Sequence, residues 1–189
     1  MIQIGAPLAH DFSNPLGVLS DCHRRVEHFL QLLVTVTEEA QGGPLSPEQR
    51  DALEVGLRYF AEAAPKHTSD EEESLFPRLR ASQHPEAPEA VAIAESLSGD
   101  HHAAAAHHAA IDTLGRRWLA DGHLAAAATR ELAARLAALA TMYREHIAAE
   151  DGALFPLARR VLSAAAIAAL GTEMALRRGL DPARTGAGP

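Results

Sequence analysis

Apolar residues return every three to four positions along most of the chain, the spacing of helices that bury one face. Leu16, Leu19, Val26, Leu30 and Val34 share one such stripe. Alanine, leucine, glutamate and arginine dominate and β-branched residues are sparse, so local propensity agrees with the pattern. The punctuation divides the chain. Asn14-Pro15 is an N-cap followed by Pro at the first helical position and opens a helix over about 15–40, which Gly42-Gly43-Pro44 ends. Ser46-Pro47-Glu48-Gln49 is a capping box that opens a second helix running to about 81, with kinks at Pro65 and Pro77. His84-Pro85-Glu86-Ala87-Pro88 is a linker. A third helix spans about 88–120 and stops at Asp121-Gly122, and a fourth spans about 124–162. Ser163 caps a short fifth helix ending near Gly179, with Arg177 and Arg178 set against its dipole. Four long helices with short connections must lie as antiparallel neighbours, which predicts an all-α four-helix bundle with a short C-terminal fifth helix. A single domain over 12–180 is expected, between tails at 1–11 and 181–189.

Composition narrows the function. The 189 residues are 47% hydrophobic, enough to close a core. Seventeen basic against 25 acidic residues leave a formal net charge of −8, which argues against a nucleic-acid or anionic-membrane partner. One cysteine, Cys22, excludes an internal disulfide and a Cys-rich metal site. Neither a secretory signal nor a membrane span is visible, so a soluble, cytoplasmic protein is expected. The outlying figure is 11 histidines against 4% aromatics. Histidine is the commonest metal ligand.

The chain also repeats itself. His67, Glu71, Glu72, Leu75, Phe76 and Pro77 fit the pattern H-x-x-x-E-[ED]-x-x-L-F-P, and so do His146, Glu150, Asp151, Leu154, Phe155 and Pro156, 79 residues on. Five identities at one offset imply two helical hairpins, about 15–82 and 88–162, related by a pseudo-two-fold axis.

Residues i and i+4 share a helical face, so His67 with Glu71, and His146 with Glu150, can each reach one metal centre. Phe60, Leu53 and Ala64 share the stripe of His67, and Leu139, Met142 and Leu157 that of His146, so both pairs look inward. Glu72 and Asp151 fall off those stripes and are expected in solvent. A lone H-x-x-x-E is ordinarily a surface salt bridge. Two inward copies are not, because facing buried carboxylates repel unless cations lie between them. The first helix supplies His23, which sits on its apolar stripe, while His28 points away.

The third helix offers His101, His102, His107 and His108. His101 and His108 lie on its apolar stripe; His102 and His107 lie off it and are expected in solvent. His23 precedes His67 by 44 residues, and His101 precedes His146 by 45, but His108 by only 38. At 1.5 Å rise per residue, His108 sits roughly 10 Å from the level of the other ligands. The ligand set is therefore His23, His67, Glu71, His101, His146 and Glu150, with His108 beside the site or on its access path and His102 the alternative if the third helix is irregular. Four imidazoles and two carboxylates suit iron, manganese or zinc. With the carboxylates bridging and an oxo or hydroxo group added, each ion keeps a position open for a small molecule. Cys22 reads as a buried inert thiol, Trp118 as core, and His84 and His123 as loop residues; His10 precedes the first helix and is not placed.

These residues resemble the hemerythrin-like, HHE cation-binding domain family, whose signature is H…HxxxE…H…HxxxE. The resemblance covers about residues 12–162 and extends to the L-F-P after each HxxxE. It implies an up-down-up-down four-helix bundle and a non-haem di-iron centre with bridging carboxylates. Hemerythrins proper carry a fifth histidine one turn along the third helix, where this chain has Ala105; Glu27, four after His23, is a possible extra acidic ligand. The implied function is binding or sensing of O2, NO or peroxide at two iron ions, limited in water by apolar neighbours such as Leu30, Leu139 and Met142. The alternatives are a di-iron peroxidase, oxidase or nitric-oxide reductase using Tyr143 and His108, and iron storage or iron-centre repair. No protein partner is indicated.

Overall fold

The computed structural model describes residues 9–181, so the N- and C-terminal tails expected from the sequence lie mostly outside it. Helix α1 spans Pro15–Ala40, and Asn14 caps it by accepting from the Gly17 amide. It ends where Gln41 and Gly42 turn left-handed, at φ 47° and 79°. α2 spans Pro47–Glu62 and begins with the complete Ser46/Gln49 capping box. α5 spans Ala87–Asp121 and α6 spans Ala126–Ala149. α1 touches α2 and α6, and α5 touches the same two, which closes the four-helix ring. The described residues contain no strand and no helix long and apolar enough to cross a membrane.

The second and fourth helices are not continuous, as the sequence suggested. After α2 the chain breaks at Ala63, two residues before Pro65, and resumes as α3, Ala64–Ser69. It then widens into a π-turn, π1, Asp70–Leu75, before α4, Phe76–Ala81. The second hairpin does the same: α6 passes into π2, Glu150–Leu154, and then α7, Phe155–Val161. In each π-turn the amide of Phe76 or Phe155 reaches back five residues to the carbonyl of Glu71 or Glu150. The cause lies one residue on. Pro77 and Pro156 have no N–H, and their rings crowd the carbonyl four residues back, so a wider turn relieves the clash.

The core has two parts. One, around Leu19, Leu75, Phe76, Leu79, Leu97, Leu154 and Phe155, continues under the last helix, α8, Ala164–Arg177, which Ser163 caps. The other surrounds Phe29, Leu33, Leu57, Leu132, Leu136 and Trp118. Trp118 is fully buried, and its indole N–H donates to the Gly43 carbonyl at 2.9 Å, tying the first interhelical turn to α5. Gly115, one turn before it, lets α2 approach: an added Cβ would come within 2.7 Å of Leu57. Gly115→Ala should therefore destabilise the protein by about 1–3 kcal/mol, read from its urea midpoint. A layer of buried histidines and carboxylates lies between the two apolar clusters.

Candidate metal centre

The six residues singled out by spacing converge in that layer. Glu71 and Glu150 are 0% exposed, and His23, His67 and His146 are buried as well. His101 is nearly so, its side chain 10% exposed. Two overlapping groups of four have donor atoms within 4.8 Å of one another: His23, His67, Glu71 and Glu150; and Glu71, His101, His146 and Glu150. Each group takes its two histidines from one hairpin, and both groups share the same two glutamates, one from each hairpin. A pair of cations held in this way would be bridged by carboxylates.

The short distances define the cluster. His23 Nε2 is 3.0 Å and His146 Nε2 3.3 Å from Glu150 Oε2, while His67 Nε2 and His101 Nε2 lie 3.3 and 3.4 Å from the two oxygens of Glu71. Yet no carboxylate oxygen of Glu71 or Glu150 accepts a hydrogen bond from any described residue, and His23 Nε2 makes none either. Four buried oxygens without hydrogen bonds would be costly in a plain core. Gathered beside four imidazole nitrogens, they form a donor set that could hold cations.

Electrostatics agree. Burial and the charge of Glu150 push the Glu71 carboxyl well above the ordinary range. Burial acts on Glu150 in the same sense, but His146 and His23 overcome it and hold that carboxyl down. Burial pulls His67 well below its usual value, reinforced by His23. His23 and His146 would also fall through burial, but the carboxylates beside them raise both. The site thus separates its charges within one buried layer, with Glu71 the acid that cannot share it.

The repeated motif acts between hairpins. Asp151, immediately after Glu150, places Oδ1 3.1 Å from His23 Nδ1, and Phe155 stacks on the same ring at 5.5 Å. In mirror fashion, Glu72, immediately after Glu71, lies 2.8 Å from His101 Nδ1, and Phe76 stacks on His101 at 6.3 Å. Glu72 and Asp151 are therefore not solvated bystanders, as the helical wheel suggested. The wheel assumes 100° per residue, and both acids sit in π-turns. Their role is to fix the imidazoles so that Nε2 faces the cluster. Each hairpin's acid and phenylalanine hold the other hairpin's histidine.

The symmetry stops at the remaining pair. His146 Nδ1 lies 3.3 Å from Asp100, the residue before His101. The corresponding residue before His23 is Cys22, and His67 Nδ1 is buried with no hydrogen-bond partner among the described residues.

Other histidines lie outside the cluster. His102 is exposed and bonds the Ser98 carbonyl at 2.8 Å; His28 and His123 are exposed, as is Glu27. His107 is half-buried rather than solvated, because its Nδ1 is covered. His10 pairs with Asp21 at 3.2 Å. His108 hydrogen-bonds Tyr143 at 2.7 Å and does not join the cluster. Burial raises the Tyr143 phenol well above its ordinary value, with Glu71 and Glu150 adding to the effect.

A helical bundle with two HxxxE segments around one buried donor layer defines a class of cation-binding domain. The profile of the hemerythrin HHE cation binding domain matches residues 14–158, and the chain belongs to that family. No curated protein matches the chain.

Proposed function

We propose that the protein is a non-haem di-iron protein that binds or senses O2 or a related small molecule, NO or peroxide. His23, His67, His101 and His146 would hold the two ions terminally, and Glu71 and Glu150 would bridge them. The observation that carries this reading is the sharing of both glutamates by the two donor groups. Iron bound there would supply redox electrons and an open coordination position; manganese and zinc suit the same donors. The chain's own contribution is to orient the imidazoles through Asp151, Glu72 and Asp100, to balance charge with two carboxylates, and to exclude bulk water. That last task falls to Val26, Ala64 and Ile147 around a void of about 10 Å³ beside the histidines, large enough for one water-sized occupant.

Anaerobic reconstitution with iron(II), followed by elemental analysis, should give two ions per chain. Exposure to O2, NO or peroxide should then change the visible and near-ultraviolet spectrum. A properly folded chain that takes up no metal, or an iron-loaded chain unresponsive to all three, would refute the reading.

A further inference from the structure

A surface cleft of about 410 Å³ opens next to the cluster, with Pro65, Thr68, His108 and Tyr143 in its walls. Thr68, His101 and Tyr143 also line the small void beside the histidines, so cleft and void adjoin across these side chains. There Tyr143 and His108 form a hydrogen-bonded pair, with His108 Nε2 2.7 Å from the phenol oxygen. His108 stacks on Phe60 at 4.8 Å, and burial, with His107 beside it, holds its imidazole down to about 4. It is therefore neutral and carries one ring proton.

The position of that proton follows from its surroundings. His108 Nδ1 is buried and has no hydrogen-bond partner among the described residues. Buried N–H groups without acceptors are rarer than buried lone pairs without donors. The proton accordingly belongs on Nε2, which donates to the Tyr143 oxygen. A phenol has one proton and can both accept and donate. With its oxygen accepting from His108, the Tyr143 proton is free to turn to the void.

We propose that Tyr143 donates a hydrogen bond to a small anion held against the cluster, with one atom in the water-sized void and the rest in the adjoining cleft that Tyr143 also lines, and that His108 is the positioning residue that aims it. The ligand class is an anion of two or three atoms with an oxygen or nitrogen acceptor, such as deprotonated peroxide or azide. The consequence is selectivity: anionic ligands gain from the donor and neutral diatomics gain little. The inference rests on the dinuclear reading above.

Two experiments test it, one needing no metal. In the metal-free protein, nitrogen-15 NMR of the histidine rings should show His108 protonated at Nε2; protonation at Nδ1 would overturn the proposal. In the iron(III)-loaded protein, titrated with azide, Tyr143→Phe should weaken binding at least about tenfold at unchanged metal content. The azide stretch should shift between H2O and D2O in the wild type and not in Tyr143→Phe. His108→Ala should lose several-fold in azide affinity, and His108→Gln, whose amide N–H can reach the same oxygen, should recover most of it. Nitric oxide binding to the iron(II) form should change less than about twofold in Tyr143→Phe. Azide affinity equal in wild type and Tyr143→Phe would refute the donor role alone. A wild type that takes up no metal would refute the dinuclear reading, and the donor role with it; one that takes up two ions but no azide would refute the donor role alone.

Discussion

Glu71→Gln should strip the protein of its metal and, at the same time, make the metal-free chain more stable. The first effect follows because Glu71 belongs to both donor groups, so the change removes a charge and an oxygen ligand from each ion at once. Replacing residues that merely orient a metal ligand costs about 10–100-fold in affinity, and a shared ligand should cost more than about 100-fold. The second effect follows because Glu71 is fully buried beside another carboxylate and accepts no hydrogen bond. The sign of the pH dependence is fixed by its raised carboxyl. The folded chain keeps a proton there that the unfolded chain releases near 4.5. The stability linked to that proton is complete below about 4.5 and is lost as pH rises through the folded value. Glutamine cannot lose it. Wild type and variant should thus unfold alike near pH 4, and the variant should gain as pH rises. Near neutrality the metal-free variant should be the more stable of the two, with the higher Tm. The same comparison with metal bound should reverse sign, because only the wild type gains stability from the ions. Calorimetric scans of both proteins with and without iron check all of this. A variant that keeps both ions, or that is less stable than wild type when metal-free, contradicts the shared-carboxylate arrangement.

What the sequence made legible follows the range of each interaction. Helix positions, the Asn14, Ser46 and Ser163 caps and the inward stripe of His23 are set by neighbours within a turn or two, and periodicity captures them. The meeting of His23, His67, His101 and His146 is long-range, but the internal repeat carried it, because two equal hairpins place equivalent residues at one level. The choice of His101 over His108 came from that register alone. The π-turns were not legible. The sequence marks Pro77 as a kink and gives Pro156 no role, because a wheel drawn at 100° per residue has no place for a five-residue hydrogen bond. That error displaced Glu72 and Asp151 from the histidines they hold. A signal was present nonetheless. The acid after each glutamate and the phenylalanine before each proline recur in both copies, and an ordinary surface salt bridge gives no reason to repeat them. Arg177 and Arg178 were read only as partners of a helix dipole, since nothing local links them to Asp70, more than 100 residues earlier.

That distant pairing supports the other large expected effect. Removing both arginines, as Arg177→Ala with Arg178→Ala, should destabilise the protein by about 3–5 kcal/mol. Asp70 is the first residue of π1, directly before Glu71, and is 0% exposed. Arg178 Nη2 donates to its Oδ2 at 2.7 Å, and Arg177 donates to Oδ1 and, at 3.1 Å, to the Ser74 hydroxyl. Arg78, on α4, returns the contact through a bidentate pair with Glu173 on α8, at 2.7 and 2.9 Å. The C-terminal helix is thereby fastened to the turn that presents Glu71. Taking away the two guanidinium groups strands a carboxylate that has no water to turn to, and this, more than the lost attraction, sets the size of the effect. The triple variant with Asp70→Asn separates the two contributions. If the stranded charge dominates, the amide should recover more than half of the loss. If the arginine stems matter chiefly as packing against Cys22 and Phe12, whose ring Arg178 covers at 5.6 Å, the triple variant should be as unstable as the double. Urea midpoints at constant m-value measure both. Because π1 carries a glutamate common to both donor groups, the double variant should also bind iron more weakly than the triple, which connects the stability of the last helix to the occupancy of the centre.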